Sequence, residues 1–261
     1  MEGTVSGEDR KAGRAAARLT VARRNRDGGP LQFYRTASLP CPYVQGRVER
    51  KLVTELAARD GAAFYNELSR GGFRRSHHLA YRPACAGCNA CVPVRIVAPE
   101  FAAGRSLRRV ALRNRDVSVS VAEPKANVEQ FRMFTRYQRS RHHDSEMASM
   151  TYGDYRAMIE DSPVVTRLIE LHRADGVILG ACLVDLLDDG LSAVYSFYEP
   201  GETKRSLGTY LILALIEETL RRQAPYLYLG YWIAESPKMA YKSRFRPLEG
   251  LSARGWTLLD P

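Results

Sequence analysis

Three strand-like segments followed directly by an apolar helix constrain the fold of this chain more than any other feature. The three strands, the helix and a closing strand cover residues 164–172, 176–185, 191–198, 206–222 and 226–233. Asp-Gly sequences at 175–176 and 189–190 separate the first three, and turns of this composition join antiparallel strands. This arrangement indicates a sheet with helices packed on it.

Flanking segments extend this unit in both directions. A strand is predicted at 117–121, helices at 128–141 and 152–160, and a last helix at 238–245. The resulting order is β-α-α-β-β-β-α-β-α, which predicts an α+β fold with a mixed sheet. This order is similar to that of the GNAT-like acyltransferase fold.

A smaller α+β unit that carries cysteines precedes the mixed sheet. Strands are predicted at 31–38 and 92–97. Charged and apolar residues alternate over 48–56, which favours a strand, although a helix also fits. A helix over 60–70 ends at two glycines, and glycine is a typical helix stop.

Three regions follow from these patterns. They are a basic tail without fixed structure at 1–29, an N-terminal cysteine-bearing domain at 30–112 and a GNAT-like domain at 113–261. The tail holds seven Lys/Arg against four Asp/Glu and shows no export signal. The longest apolar run, 210–216, is far shorter than the roughly 20 residues that cross a bilayer. We therefore expect a cytoplasmic protein without a membrane partner.

The chain carries a net charge of +10. A polyanionic partner is therefore expected, although charge alone does not identify it.

Three of the five cysteines, Cys85, Cys88 and Cys91, crowd into one loop, and Cys41 lies upstream between two prolines. Four thiolates match a tetrahedral zinc site and also suit an iron–sulfur cluster. Free thiols packed as small apolar groups would give the same pattern. In either case the expected role is structural. Cys182 lies in an apolar predicted strand, so we expect an inert core residue there.

Two basic segments are candidates for anion binding. Arg74 and Arg75 precede the cysteine loop, and arginine forks suit carboxylates and phosphates. A solvated basic loop would look the same. Further along, Lys238, Tyr241 and Lys242 belong to a stretch of interleaved aromatic and basic residues. That composition suits a single-stranded nucleic-acid end, and an aromatic core strand beside a basic outer helix also fits.

The start of the helix over 206–222 is a third candidate. Arg205, Ser206 and Gly208 stand there, and small residues at a helix N-terminus leave backbone N–H groups for an anion. Acetyl-CoA-dependent members of the GNAT-like fold generally have a small residue two places after the first glycine. Tyr210 stands at that place, which argues against coenzyme A and leaves room for another acyl carrier.

Six segments in chain order resemble the arginyl-tRNA–protein transferase family, and most closely its bacterial branch, the aspartate/glutamate leucyltransferases. They are Cys-Pro-Tyr at 41–43, Gly-Phe-Arg-Arg-Ser at 72–76, Tyr-Arg-Pro-Ala-Cys at 81–85, Ser-Phe-Tyr-Glu-Pro at 196–200, Ser-Leu-Gly at 206–208 and Pro-Lys-Met-Ala-Tyr-Lys at 237–242. The resemblance spans residues 31–257. It implies transfer of leucine from leucyl-tRNA to the N-terminal Asp or Glu of other proteins, which marks them for N-degron-dependent degradation.

The resemblance also implies roles for single residues. Glu199 is the candidate catalytic group, which would orient or deprotonate the acceptor amine, although a turn carboxylate beside Pro200 would look alike. Arg74 and Arg75 would pair with the carboxylate of the acceptor side chain. The residues expected to bind the tRNA are Arg205, Ser206, Gly208, Lys238, Tyr241 and Lys242.

Two other functions stay open at this point. An acetyl-CoA-dependent N-acetyltransferase would use the same fold, and a non-catalytic RNA-binding protein would show the same basic segments. Aminoacyl transfer is expected to need no cofactor, because the ester of a charged tRNA is already activated. The acceptor α-amino group, with an ordinary pKa of about 8, is substantially nucleophilic at neutral pH.

Overall fold

A large mixed sheet, a smaller sheet and the helices packed on them make up the protein. The computed structural model describes residues 17–24, 30–56, 61–142 and 145–259. The strands are β1 (Ala17–Arg24), β2 (Pro30–Arg35), β3 (Leu39–Pro40), β4 (Val48–Glu49), β5 (Lys51–Glu55), β6 (Arg74–Ser76), β7 (Leu79–Pro83), β8 (Val92–Val97), β9 (Val117–Ala122), β10 (Thr166–Arg173), β11 (Ile178–Leu187), β12 (Gly190–Tyr198), β13 (Tyr226–Trp232), β14 (Leu248–Ser252) and β15 (Gly255–Leu258). The α-helices are α1 (Gly61–Arg70), α2 (Arg105–Arg113), α3 (Val128–Arg141), α4 (Tyr152–Glu160) and α5 (Leu207–Arg221).

The large sheet has the strand order β15-β14-β8-β13-β12-β11-β10-β9. Its neighbouring strands are antiparallel except for β12 and β13, which run parallel and are joined by α5. Pairing between these two extends only from Gly190 and Tyr226 to Ser192 and Tyr228. Beyond these residues the strands separate. We call the opening between residues 193–198 and 229–232 the splay.

Apolar side chains cover both faces of the large sheet. On one face α5 contributes Leu211 and Leu215 to a cluster that includes Leu227 of β13. On the opposite face, Phe134 of α3 meets Phe197 of β12 edge to face, with ring centroids 5.5 Å apart. Burial of each such side chain contributes about 1.5–3 kcal/mol. No helix in the described part of the chain is long and apolar enough to cross a membrane.

The smaller sheet has the order β1-β2-β5-β7-β6, and β3 pairs with β4 beside it. The helix α1 packs on this sheet through Tyr65 and Leu68. The sheet docks on β13 of the large sheet, where the hydroxyl of Tyr231 donates to the carbonyls of Gly72 (3.0 Å) and Tyr81 (3.2 Å). Residues 71–83 are thereby held against the splay.

The predicted α+β class with a mixed sheet is confirmed. Helices α3 and α4 and strand β8 have the predicted bounds. The helix predicted over 238–245 is wrong, since the segment forms only the short 3₁₀ helix Ala240–Arg244. The physical reason is that Lys242 turns inward and donates to carbonyls of β13, which an amphipathic helix with an outward basic face does not allow.

The predicted domain boundary between residues 112 and 113 does not separate the two sheets. The strand β8, which precedes that boundary, pairs with β13 on one side and β14 on the other. A β-branched, apolar strand such as β8 suits the middle of a sheet that is covered on both faces. Residues of the predicted N-terminal domain therefore complete the large sheet.

Part of the predicted structureless tail is a strand. The strand β1 pairs antiparallel with β2, and its β-branched Thr20 and Val21 favour an extended backbone. The rest of the predicted tail, residues 1–16 and 25–29, lies outside the described residues.

Candidate functional site

Two basic side chains fill the splay of the large sheet. Separating strands leave backbone carbonyls without their ladder partners, and buried carbonyls need donors. Arg74 donates from Nη2 to the carbonyl of Val194 (3.0 Å) on β12. On the facing strand, Lys242 donates from Nζ to the carbonyls of Leu229 (2.9 Å) and Tyr231. Each cation thus binds one open edge of the splay.

Local backbone features bring Arg74 to its place. Val194 lies in β12 where the register against β11 shifts, so it forms a bulge, and bulges re-aim backbone groups. Gly230 of β13 has φ +74°, and a Cβ there would lie 2.6 Å from Nη1 of Arg74. Glycine is therefore required at position 230 for both its backbone angle and the close approach of the guanidinium.

The Nη1 atom of Arg74 is buried and has no hydrogen-bond partner among the described residues. A buried guanidinium is costly unless a partner compensates its charge. Arg74 contacts no carboxylate in the described part of the chain, because the nearby Asp185 is held by Arg75. This donor, which lies against Gly230 in the splay, marks a ligand position.

Lys242 is buried, which corrects its predicted role at the tRNA end. Burial, followed by the neighbouring Arg74 charge, lowers the pKa of Lys242 to about 7. A lysine that is 6% exposed and binds two carbonyls cannot reach the phosphate of a docked polynucleotide. Its position adds positive potential to the splay.

Three tyrosines gather beside the splay. The ring of Tyr198, at the end of β12, lies 4.9 Å from the ring of Tyr137 and covers Gly208, where a Cβ would come within 2.9 Å of it. Tyr241 is 40% exposed, and burial of its hydroxyl, with Tyr198 among its neighbours, raises its pKa. Predicted site residues from three segments, at positions 74, 208 and 241, are therefore brought together.

Glu199 follows Tyr198 and is held by an arginine that sequence analysis did not find. Arg136 of α3 donates from Nε (3.0 Å) and Nη2 (2.7 Å) to Oε2 of Glu199. The other oxygen, Oε1, lies 3.5 Å from the backbone N–H of Gly201. The carboxylate is thus fixed in position, with Oε1 facing the loop that precedes α5.

The segment before α5 is occupied by internal contacts. Arg205 donates to both oxygens of Asp116 at 2.8 Å and to Glu202 at 3.1 Å, and the bond to Asp116 raises the pKa of Arg205. Ser206 adopts φ 54°, which turns the chain into the helix. Two carboxylates already neutralise Arg205, so the structure does not favour its predicted role as a phosphate ligand.

Lys238 lies on the exposed rim of the site. It is close enough to His142 for its charge to lower the pKa of that imidazole, after the larger effect of burial. His142 in turn packs against Tyr137, with ring centroids 5.7 Å apart. Lys238 and Tyr241 are therefore the predicted tRNA contacts that stay accessible.

Arg75 is not available to an acceptor, which corrects the predicted arginine pair. It donates from Nε (2.8 Å) and Nη2 (2.6 Å) to the carboxylate of Asp185, and from Nη1 to the carbonyl of His77. The Arg75 and Asp185 side chains are 1% and 0% exposed. Each of its three nitrogens has a partner inside the protein, so its role is to join the two sheets.

The four clustered cysteines are neighbours but do not converge. Burial, followed by the proximity of Cys41, Cys85 and Cys88, raises the pKa of Cys91 to about 11. Within the described residues, no group of three or more His, Cys, Asp or Glu is placed to hold a metal ion. The arrangement as it stands does not fit a metal centre. Cys182 is buried, and burial raises its pKa to about 12, so the prediction of a core residue is confirmed.

Two sequence profiles of one family match the chain. Residues 39–109 match the arginine-tRNA-protein transferase N terminus, and residues 129–252 match its C terminus. The two matches together cover more than half of the chain. The chain belongs to this family.

Relatives in the arginine-tRNA-protein transferase family match over nearly the whole chain. A protein of Paramagnetospirillum magneticum named aspartate/glutamate leucyltransferase is 52% identical over 89% of this chain and 95% of its own length. A protein of Rhodospirillum rubrum with the same name is 50% identical over 90% of this chain and 97% of the relative.

Solved structures show weaker similarity. L-PGS from Bacillus licheniformis is 12% identical with a TM-score of 0.48, over 80% of this chain and 70% of that one. FemX is 9% identical with a TM-score of 0.47, over 89% and 84%.

Some site residues of this family member escaped sequence analysis. Asp185 is a single charge in the apolar strand β11, and a charge in a buried strand signals an ion pair. The lone charge of Asp185 therefore predicts a buried ion pair, and the structure shows Arg75 as its partner. Arg136 gave no signal, because it is one of several exposed arginines on α3.

Proposed function

We infer that this chain is a leucyl-tRNA–protein transferase, which transfers leucine from leucyl-tRNA to the N-terminal Asp or Glu of acceptor proteins. The observation that carries this inference is the 50–52% identity to relatives named aspartate/glutamate leucyltransferase over at least 95% of their length. The family name supports a charged tRNA as donor. The relatives' name supports leucine as the transferred group and an acidic acceptor.

The reaction forms a peptide bond and breaks an ester bond. The neutral α-amino nitrogen of the acceptor attacks the ester carbonyl carbon of leucyl-tRNA. The C–O bond to the terminal ribose then breaks, the nitrogen loses one proton, and the ribose hydroxyl gains one. Because the ester is already activated, the enzyme has to align the two substrates and stabilise the oxyanion.

We assign the acceptor carboxylate to Nη1 of Arg74. This atom is a shielded donor without a partner among the described residues, and an acidic side chain entering the splay supplies one. Lys242, whose pKa burial lowers to about 7, adds positive potential at the same place in its protonated form. An Asn or Gln side chain would leave the guanidinium charge unpaired, so the site discriminates against amides.

Glu199 orients the acceptor amine in this proposal. Arg136 holds Oε2, and Oε1, which accepts only a long bond (3.5 Å) from the N–H of Gly201, has a lone pair for an ammonium or amine near the end of β12. Lys238 and Tyr241, on the accessible rim, are assigned to the single-stranded tRNA end, where phosphates need a cation and bases stack on aromatic rings.

No metal takes part in this assignment. A structural zinc ion or iron–sulfur cluster at Cys41, Cys85, Cys88 and Cys91 stays a prediction, which elemental analysis of the purified protein tests.

We propose further that leucine addition marks acceptors for N-degron-dependent degradation. The proposed place of action is the cytoplasm, where charged tRNAs are used.

Incubation of the protein with leucyl-tRNA or arginyl-tRNA and short peptides tests the proposed function. Mass spectrometry of peptides that begin with Asp, Glu or Asn is expected to show one added leucyl residue on the Asp and Glu peptides only. Addition of arginine in place of leucine, or leucine on the Asn peptide, would contradict the inference.

Changing Glu199 to Gln is expected to lower kcat/KM for an Asp peptide by about 10- to 100-fold, the worth of one hydrogen bond to a charged group. Steady-state kinetics with leucyl-tRNA in excess measures the effect. The matched control is Glu202→Gln, which alters a carboxylate three residues away that contacts Arg205. The control is expected to change the rate less than threefold, and equal effects of both variants would refute the orienting role.

A further inference from the structure

The helix α2 presents a row of arginines to solvent. Its buried residues are Leu107 and Val110, which face the core of the large sheet. The exposed side chains on its other face include Arg105, Arg108, Arg109 and Arg113, which recur at the three- and four-residue spacing of one helix surface. We call these four residues the arginine face.

Three of the four arginines do not serve the stability of their helix, and only Arg113, in the last turn, is favoured by the helix dipole. Arg105 stands in the first turn, where no acidic residue is present and where a cation opposes the helix dipole. Pairs of like charge three or four residues apart, such as Arg105 with Arg109, each destabilise a helix by roughly 0.2–0.5 kcal/mol. The helix is therefore held mainly by its two buried apolar residues, and the charges of Arg105, Arg108 and Arg109 do not stabilise it.

The charges of the arginine face are not neutralised by the protein. Within the described residues, no carboxylate forms an ion pair with any of its four members. Arg108 and Arg113 donate only to the backbone carbonyls of Ala103 and Lys204. Other surface arginines differ, since Arg136 and Arg173 are both paired with carboxylates.

The arginine face lies between two edges of the functional site. Near its first turn, the Oγ of Ser106 accepts from Arg244, at the end of the 3₁₀ helix that carries Tyr241 and Lys242. At its other end, Arg113 contacts Lys204 in the loop before α5. Eight residues at 1.5 Å each separate Arg105 from Arg113, a span of about 12 Å. The arginine face thus connects two segments that flank the splay.

We propose that the arginine face binds the phosphates of the double-stranded stem of the donor tRNA while the single-stranded end reaches the splay. This proposal rests on the proposed leucyl transfer. Double-stranded RNA is bound mainly through phosphates and shape, and four unneutralised guanidinium groups in a row complement that charge. The partner is a polynucleotide stem, because the arginine face lies beside the site that accepts the charged end.

The test compares two variants that remove the same charge. In the first, Arg105, Arg108 and Arg109 are all changed to Gln. The KM for leucyl-tRNA is expected to rise roughly 10- to 100-fold, while kcat at saturating tRNA stays within threefold of the unchanged protein, since phosphate contacts supply affinity. The slope of log KM against log salt is expected to fall by about three, one for each phosphate contact removed.

The control variant carries Arg156→Gln, Arg221→Gln and Arg254→Gln, three exposed positions on other surfaces. Its KM for leucyl-tRNA is expected to change less than threefold, which separates the position of the charges from total charge. A leucylated CCA trinucleotide, which lacks a stem, is the second probe. It is expected to react equally well with the unchanged protein and with the α2 variant.

Equal KM increases in both triple variants, or a loss of trinucleotide reactivity in the folded α2 variant, would overturn the proposal. A different outcome is that the unchanged protein binds anionic phosphatidylglycerol vesicles, the α2 variant does not, and both have the same KM for leucyl-tRNA. That outcome would assign the arginine face to a membrane surface. Circular dichroism of each variant establishes that it is folded. If the unchanged protein transfers no leucine from either donor, the proposed function fails, which is a distinct result.

Discussion

Replacing Arg75 by Met is expected to destabilise the protein by about 3–5 kcal/mol, because it leaves the buried carboxylate of Asp185 without its cation. In the native protein, Arg75 makes two hydrogen bonds to that carboxylate across the two sheets. After the change, the hydroxyl of Thr166, at 3.1 Å, would be the remaining side-chain donor. Urea unfolding followed by circular dichroism measures the difference.

A double variant separates the ion pair from simple loss of packing. Arg75→Met combined with Asp185→Leu leaves no unpaired charge, so its cost is expected to be well below the sum of the two single costs. Arg156→Met, on the exposed face of α4, serves as the control and is expected to change stability by less than about 0.5 kcal/mol. If Arg75→Met lowers the free energy of unfolding by less than about 1 kcal/mol and also abolishes the preference for Asp over Asn peptides, Arg75 binds the acceptor after all.

Replacing the adjacent Arg74 by Met is expected to lower activity strongly and to change stability little. The kcat/KM for an Asp peptide should fall about 30- to 1,000-fold, because a shielded hydrogen bond between guanidinium and carboxylate contributes about 2–4 kcal/mol. Stability should change by less than about 1 kcal/mol, since no buried anion loses its partner. Peptide kinetics and urea unfolding of the same preparation measure both quantities.

The KM for leucyl-tRNA should be unaffected by Arg74→Met, and the preference for Asp over Asn should shrink. A second variant, Gly230→Ala, tests Arg74 without replacing it, because the added Cβ would displace the guanidinium of Arg74. Gly176→Ala is the matched control, because Gly176 also has a positive φ (+86°) but nothing lies within 4 Å of an added Cβ. Equal loss of peptide activity in both alanine variants would contradict the assignment of Arg74.

Local signals were sufficient to predict α3, α4, α5 and the hairpins from β10 to β12. Asn127 and Thr151 begin α3 and α4 with complete capping boxes, and such caps depend on residues three positions apart. The hairpins from β10 to β12 likewise follow from turn composition and apolar runs. These elements could be predicted because each is specified within a short stretch of sequence.

Contacts between distant segments could not be predicted in this way. Arg74 and Arg75 are identical side chains in adjacent positions, yet Val194 and Asp185, each more than 100 residues away, give them different roles. Lys242 looked like a surface cation, because the carbonyls it binds become free only where two strands separate. The helix α2 was missed since only Leu107 and Val110 mark its buried side.

The position of β8 has a consequence for how such an enzyme can be divided or varied. The strand comes from the first half of the sequence but lies between β13 and β14, which come from the last quarter. The group assigned to hold the acceptor, Arg74, comes from the same early half, whereas Glu199 and the loop before α5 come from the later one. Neither half is a module that can be exchanged alone, so a change of acceptor preference must preserve the seam between them.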